Sequence, residues 1–201
     1  MLQLNSIAGT YDYCSYYNRF SYGYSFSYSC SDKFEKGKGR DVFSRVISAA
    51  VYGIDAYIVN VETDVGFGLP TFDMSGALGS KVREAKDRVR VAIKNSGIEL
   101  TPQKIVINIS PANIRKEGTI YDLPIAIGIL AANGCFDLKI LENVLIIGEV
   151  SLDGSINPVK GVLPMVCAAK EAGIDNCIIP KANIAEGRII NNINIYGVET
   201  L

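Results

Sequence analysis

"LDGSINPVKGVLPMVCAAKEAGIDNCIIP", residues 152–180, decides how this chain is built. Asp153 and Gly154 form a dipeptide that accepts a tight type I′ hairpin turn, so "VLIIGEVSL" before it and "SINPV" around it read as strands. A helix follows in "GVLPMVCAAKEAG" and ends at Gly173, and "NCIIP" is a short apolar strand closed by proline. The same alternation extends towards the N-terminus. Pro111 and Gly118 bracket a loop, after which the spacing predicts an apolar helix from Asp122 to Ala132 that stops at Asn133 and Gly134. "KIVINIS" before that loop is a buried strand. Within "GSKVREAKDRVRVAIKNSG", Val82, Ala85, Val89, Ala92 and Ile93 recur at helical spacing, with Ser80 as the expected cap and Gly97 as the end. "SRVISAAVYG" and "DAYIVNVETDVG" read as strands joined at Gly53, "LPTFDMSG" as a third short strand, and "INIYGV" as the last. Strands before and between helices define an α+β chain, a mixed sheet packed with about three helices.

Composition bounds the function. With 48% hydrophobic and 20% charged residues among 201, the chain has the make-up of a soluble globular protein with a real core. The net charge of −1 gives no global field that would recruit nucleic acid or membrane. Apolar runs such as "LPIAIGILAA" reach about half the length a bilayer crossing needs. Five cysteines, odd in number and without a close CxxC pair, argue against a disulfide scaffold and a zinc site and fit a reducing cytoplasm. Histidine is absent, which removes imidazole triads and helical HExxH metal sites.

Residues 1–41 have a different texture. They hold seven of the eleven tyrosines, interleaved with serine, and show no sustained helical or strand period. A stacking platform for single-stranded nucleic acid would interleave basic groups, but Arg19 stands alone among these aromatics. Two expectations remain for the stretch: a disordered Tyr/Ser-rich extension, or a mistranslated leader before a true start at Val42. Residues 42–201 form the folded domain in either case.

Two features invite a ligand. "GALGSK" at 76–81 imitates a phosphate loop, but GxxxxGK[ST] occurs nowhere in the chain, and a glycine-rich strand-to-helix turn is the simpler reading. Residues 81–94 carry six basic residues against Glu84 and Asp87. On a helical wheel Arg83, Arg90 and Lys94 share an outward strip suited to phosphate contact, while Glu84 with Arg88 and Arg83 with Asp87 have the i,i+4 spacing of ordinary surface pairs.

From about Val42 to Leu201 the chain resembles the N-terminal domain of the ComM/YifB proteins, AAA+ ATPases related to the magnesium chelatase ChlI subunit. The matching stretches are "GLPTF" (68–72), "EAKDRVRVAIKNSG" (84–97), "INISPANIRKEG" (107–118), "YDLPIAIGILAA" (121–132), "GEVSLDGSINPVKGVLP" (148–164) and "IIPKANIAE" (178–186). That domain is similar to the proteolytic domain of Lon, with the ribosomal protein S5 domain 2-like fold. The resemblance implies hexameric relatives that drive DNA branch migration in natural transformation, with ATP and magnesium bound by a C-terminal AAA+ module that this sequence does not include. For this chain alone it implies no cofactor and no resident metal, with the AAA+ module and DNA as partners.

Carried across, Lon's nucleophilic serine falls on Asp122 and its catalytic lysine on Leu163. A serine–lysine dyad needs a hydroxyl that attacks and a neutral amine that takes its proton. Asp122 has no proton to give at neutral pH, Leu163 has no basic atom, and Lys160, three positions earlier, would have nothing to activate. The expectation is therefore a peptidase fold without peptidase activity, the alternatives being a residual hydrolase using Ser110 or Ser151 and a truncated product without function. Asp122 itself reads best as a helix cap, with Pro124 in the first turn; a metal site would need Glu117 and Glu149 beside it.

Overall fold

Strand alternation builds the sheet. In the computed structural model, which describes Tyr28–Ser29 and residues 42–201, the two longest strands after the two-residue β1 (Tyr28–Ser29) are β2 (Val42–Tyr52) and β3 (Asp55–Gly66). They pair antiparallel from Val42↔Val65 to Tyr52↔Asp55, turning at Gly53, whose φ of 66° favours glycine. Val59, Val61, Thr63 and Val65 point to one face and are buried, as a period of two requires. β4 (Phe72–Ser75) leads into a one-turn helix α1 (Ser80–Arg83), then α2 (Ala85–Asn95), the short β5 (Ile98–Glu99) and β6 (Lys104–Ser110). α3 (Asp122–Ala132), β7 (Val144–Ile146), β8 (Glu149–Val150), β9 (Ile156–Asn157), α4 (Val162–Glu171), β10 (Asn176–Pro180), the one-turn α5 (Ile184–Gly187) and β11 (Asn194–Val198) complete the described order.

Seven strands form a mixed sheet in the order β11-β10-β7-β2-β3-β6-β4. β2–β3 and β3–β6 are antiparallel, and the other neighbours are parallel. Two of the three helices of ten or eleven residues, α3 and α4, pack against it and α2 packs on α3, so the α+β expectation holds. α3 lies on the face of Ser44 and Thr63: Ser44 Oγ donates to the Gly128 carbonyl at 2.8 Å. A Cβ at Gly128 would stand 2.6 Å from Thr63 Oγ1, so glycine allows the helix to approach the sheet. α4 lies on the other face, where a Cβ at its flanking Gly161 would meet Val51 Cγ2 at 3.1 Å. Ser44 and Val51 are an odd number of residues apart on one strand, which places the two helices on opposite sides.

All eleven residues of α3 are buried, in keeping with a sequence apolar on every side. α2, β2 and β3 surround it. Val82, Ala85, Val89, Ala92 and Ile93 are buried as their spacing predicted.

Four local expectations need correction. Ser80 does not cap its helix but is its first residue, with Gly79 in the cap position and no side-chain cap bond. The helix predicted between Ser80 and Gly97 is interrupted at Glu84, where the Asp87 amide bonds the Glu84 carbonyl in a tight turn. "VLIIGEVSL" is two strands, because at Gly148 the chain leaves the main sheet to exchange backbone bonds with Ile120 and Leu123 at the entry to α3. The β8–β9 turn is not type I′: among the described residues positive φ outside glycine occurs at Asn143 and Asn192, not Asp153. There the Asp153 carboxylate accepts from the Ser155 amide at 2.9 Å, and Gly154 alone is left-handed, the pattern of a three-residue loop. Cys167 and Cys177 are free, whereas Cys135 is disulfide-bonded, a bond that the reading of the cysteines as fitting a reducing cytoplasm does not anticipate. The expectation for residues 1–41 lies outside the described residues, Tyr28–Ser29 excepted.

Gly128→Ala is expected to destabilise the fold by about 1–3 kcal/mol through overpacking against Thr63, and Thr63→Ala in the same chain to recover part of the loss. Urea denaturation of the two variants reads both effects.

Candidate functional site

The site begins with a charged residue on an apolar stripe. Arg88 sits three residues after Ala85 and four before Ala92, both fully buried, so α2 aims its stem inward. Its side chain is 24% exposed, while the Asp122 carboxylate it reaches is 0% exposed. Arg88 Nε donates to Asp122 Oδ2 at 2.8 Å and Nη2 to Oδ1 at 2.9 Å, the parallel fork that suits a guanidinium to a carboxylate. Nη2 also donates to the Lys81 carbonyl at 2.9 Å, and Nη1 stands 3.7 Å from Glu84. The Val150 amide lies 3.4 Å from Asp122 Oδ2. One guanidinium thereby ties α1, α2, the first residue of α3 and, through Asp122, β8.

The electrostatics follow from burial and pairing. Removal from water pushes the Asp122 carboxyl above its ordinary value, and the Arg88 hydrogen bonds and charge oppose this. Arg88 is itself raised, first by its bond to Asp122. Tyr121, immediately before, is buried with an unpartnered hydroxyl, and burial pushes its ionisation far up.

This geometry corrects the cap reading of Asp122. Tyr121 holds the N-cap position with a right-handed backbone, and no side-chain cap bond is made. Both Asp122 oxygens are turned to Arg88 instead, because a buried carboxylate gains more from a forked cation than from one amide. A metal at Asp122 would have to displace that fork. Glu149 is engaged by the Thr119 hydroxyl and by Asn157 at 3.1 Å, and Glu117 pairs with Arg115 at 2.6 Å. Among the described residues no group of three or more His, Cys, Asp or Glu is disposed to hold a metal ion.

Leu163 is half-buried at the start of α4, where its amide donates to Glu186 Oε1 at 2.9 Å. Lys160 is exposed. Ser110 Oγ is 3.4 Å from Glu62 Oε1, and Ser151 Oγ accepts from Asn157 at 2.8 Å. Among the described residues Lys116 is the buried lysine, its ammonium donating to the Pro111 carbonyl and its pKa lowered by burial. Among the described residues no serine hydroxyl is hydrogen-bonded to a lysine amine.

Arg83, Arg90 and Lys94 are all exposed, as the helical wheel predicted. The interruption at Glu84 separates Arg83 from the other two, and Arg83 Nε bonds the Leu78 carbonyl at 3.3 Å in place of the expected pair with Asp87. The sequence reading missed Arg88 as the partner of Asp122. Its signal was there: a cation at a buried position of α2, and a carboxylate opening a helix with no other polar group to answer it.

A seven-stranded mixed sheet with helices on both faces defines an α+β domain of the S5-like kind, with an aspartate–arginine pair buried at the entry to α3. The family described as Subunit ChlI of Mg-chelatase matches residues 61–183. The competence protein ComM of Haemophilus influenzae is 37% identical over 156 residues, 78% of this chain and 30% of that protein. YifB of Escherichia coli, an uncharacterized protein, is 40% identical over 148 residues, 74% of this chain and 29% of its own length. The archaeal Lon protease of Thermococcus kodakarensis is 30% identical over 133 residues, 64% of this chain and 21% of the protease. The chain therefore belongs to the magnesium chelatase ChlI-related ComM/YifB family, and it spans about 30% of the length of the ComM and YifB relatives.

Removing one partner of the pair is expected to cost more than a lost cap. Asp122→Ala should destabilise by about 3 kcal/mol, because it strands the Arg88 charge, and Asp122→Asn should lose a sizeable part of that as well. A chemical denaturation series decides this; a loss in Asp122→Asn indistinguishable from zero would restore the cap.

Proposed function

We propose that this ComM-type domain is catalytically silent and serves as an accessory domain of an AAA+ DNA motor, placing DNA or neighbouring subunits for a ring whose ATP and magnesium are bound elsewhere. The observation that carries the reading is the state of Asp122: at the position the Lon resemblance gives to the nucleophile, both carboxylate oxygens are held by Arg88. Neither member of that pair can start acyl transfer. An aspartate locked by a guanidinium has no proton to surrender and no free lone pair aimed at a carbonyl, and Leu163 cannot act as base. Loss of such a unit costs about 10⁶ in rate.

DNA is the partner we assign to the exposed basic strip of Arg83, Arg90 and Lys94, on electrostatic grounds alone: helical cations contact phosphates and give a salt-dependent affinity. Among the described residues no helix is long and apolar enough to cross a membrane, and we place the protein in the cytoplasm, where DNA and ATP are available.

A fluorophosphonate probe is expected to label no serine of the chain, and labelling of Ser110 or Ser151 would favour a residual hydrolase instead. In fluorescence-anisotropy titrations with a four-way DNA junction, replacing Arg83, Arg90 and Lys94 by glutamine should weaken binding and flatten the salt dependence by about 0.9 per lost phosphate contact. Affinity unchanged by the three replacements would remove the strip.

A further inference from the structure

We infer that Asp122 and Arg88 act as a positioning device for the basic face, a staple that fixes α1 on α2 so that Lys81 and Arg83 present their charges together with Arg90 and Lys94. The inference deepens the DNA reading above and rests on it for the partner, but its structural half stands on geometry alone.

The helix 80–95 is broken at Glu84, so α1 is one turn of four residues with little stability of its own. Val82 anchors it in the core. Its backbone is then held from outside by Arg88, whose Nη2 bonds both Asp122 Oδ1 and the Lys81 carbonyl at 2.9 Å. The two hydrogens of one amino group thus join α3 to α1. Asp122 sets the rotation of the guanidinium through the fork, and the guanidinium sets the height of Lys81. Lysine at this position could neutralise Asp122, but a single ammonium on a flexible stem lacks the planar fork that serves Asp122 and the Lys81 carbonyl together. Glu84, 65% exposed and 3.7 Å from Nη1, lies at the break itself. The residue that stands where a protease keeps its nucleophile thereby orients a surface one helix away.

The test replaces the pair by apolar residues of similar size, Asp122→Leu with Arg88→Met, which removes the staple without leaving a stranded buried charge. Hydrogen exchange is read at the Arg83 and Glu84 amides, which bond the Gly79 and Ser80 carbonyls, with the amides of Val89 and Ile93 in α2 as controls. The expected result is exchange about tenfold faster at Arg83 and Glu84 with the controls unchanged, as for a locally released turn. Arg88→Lys, which keeps the charge, should release the same two amides and guards against failure of the double variant to fold. With the four-way junction, the salt slope of the double variant should fall by about 1–2 as α1 stops contributing, and Arg83→Gln should then add no further loss. Unchanged exchange at Arg83 and Glu84 in both variants overturns the staple whatever the junction shows. Released amides with an unchanged salt slope overturn its role in presenting the basic face. A wild-type chain that leaves the junction unbound ends the DNA reading, while the exchange result still decides the staple.

Discussion

A charge placed where no water reaches needs an answering charge, and in this domain that requirement fixes the relation of α2 to α3. Asp122 is fully buried at the first position of a helix that is apolar on every other side. A forked cation satisfies both its oxygens at once, and Arg88 does so while keeping a quarter of its own surface in water. Buried pairs of this kind add little net stability, since desolvation offsets most of the attraction, but losing either member is expensive. Their contribution is to register. With the pair formed, α2 is joined to the first residue of α3, and the same guanidinium bonds the Lys81 carbonyl of α1.

The sheet supplies the frame for that pair. Gly128 lets α3 descend onto Ser44 and Thr63, and Gly148 lets the chain leave β7 and exchange bonds with Ile120 and Leu123 at the helix entry. The backbone on either side of Asp122 is thus pinned to Gly148 while its carboxylate is held by Arg88. On the opposite face α4 packs near Val51, with Glu186 holding the Leu163 amide. The two positions that the Lon resemblance pairs for catalysis have each acquired a partner of their own, a guanidinium for one and a carboxylate at the backbone for the other.

Much of the fold was legible in the amino-acid order, for identifiable reasons. The period of two in "DAYIVNVETDVG" and the spacing of Val82, Ala85, Val89, Ala92 and Ile93 record burial directly, and burial decides strands and helices. Less legible were the ends and turns, where short-range alternatives are close in energy. Asp153-Gly154 admits two loop types, and Ser80 lost its capping role to Gly79 because the chain enters α1 one residue earlier than the cap pattern suggests.

The sequence by itself determined the alternation of the main strands and helices, the outward face of α2 and the absence of a hydroxyl and an amine at Asp122 and Leu163, because these depend on residue identity and local period. Tertiary structure alone decided what Asp122 does. Its partner lies thirty-four positions away on another helix, and both a cap and an ion pair begin from the same aspartate before the same apolar run. Choosing between them requires knowing which cation the folded chain brings within 3 Å, and distance in space is not written in local periodicity.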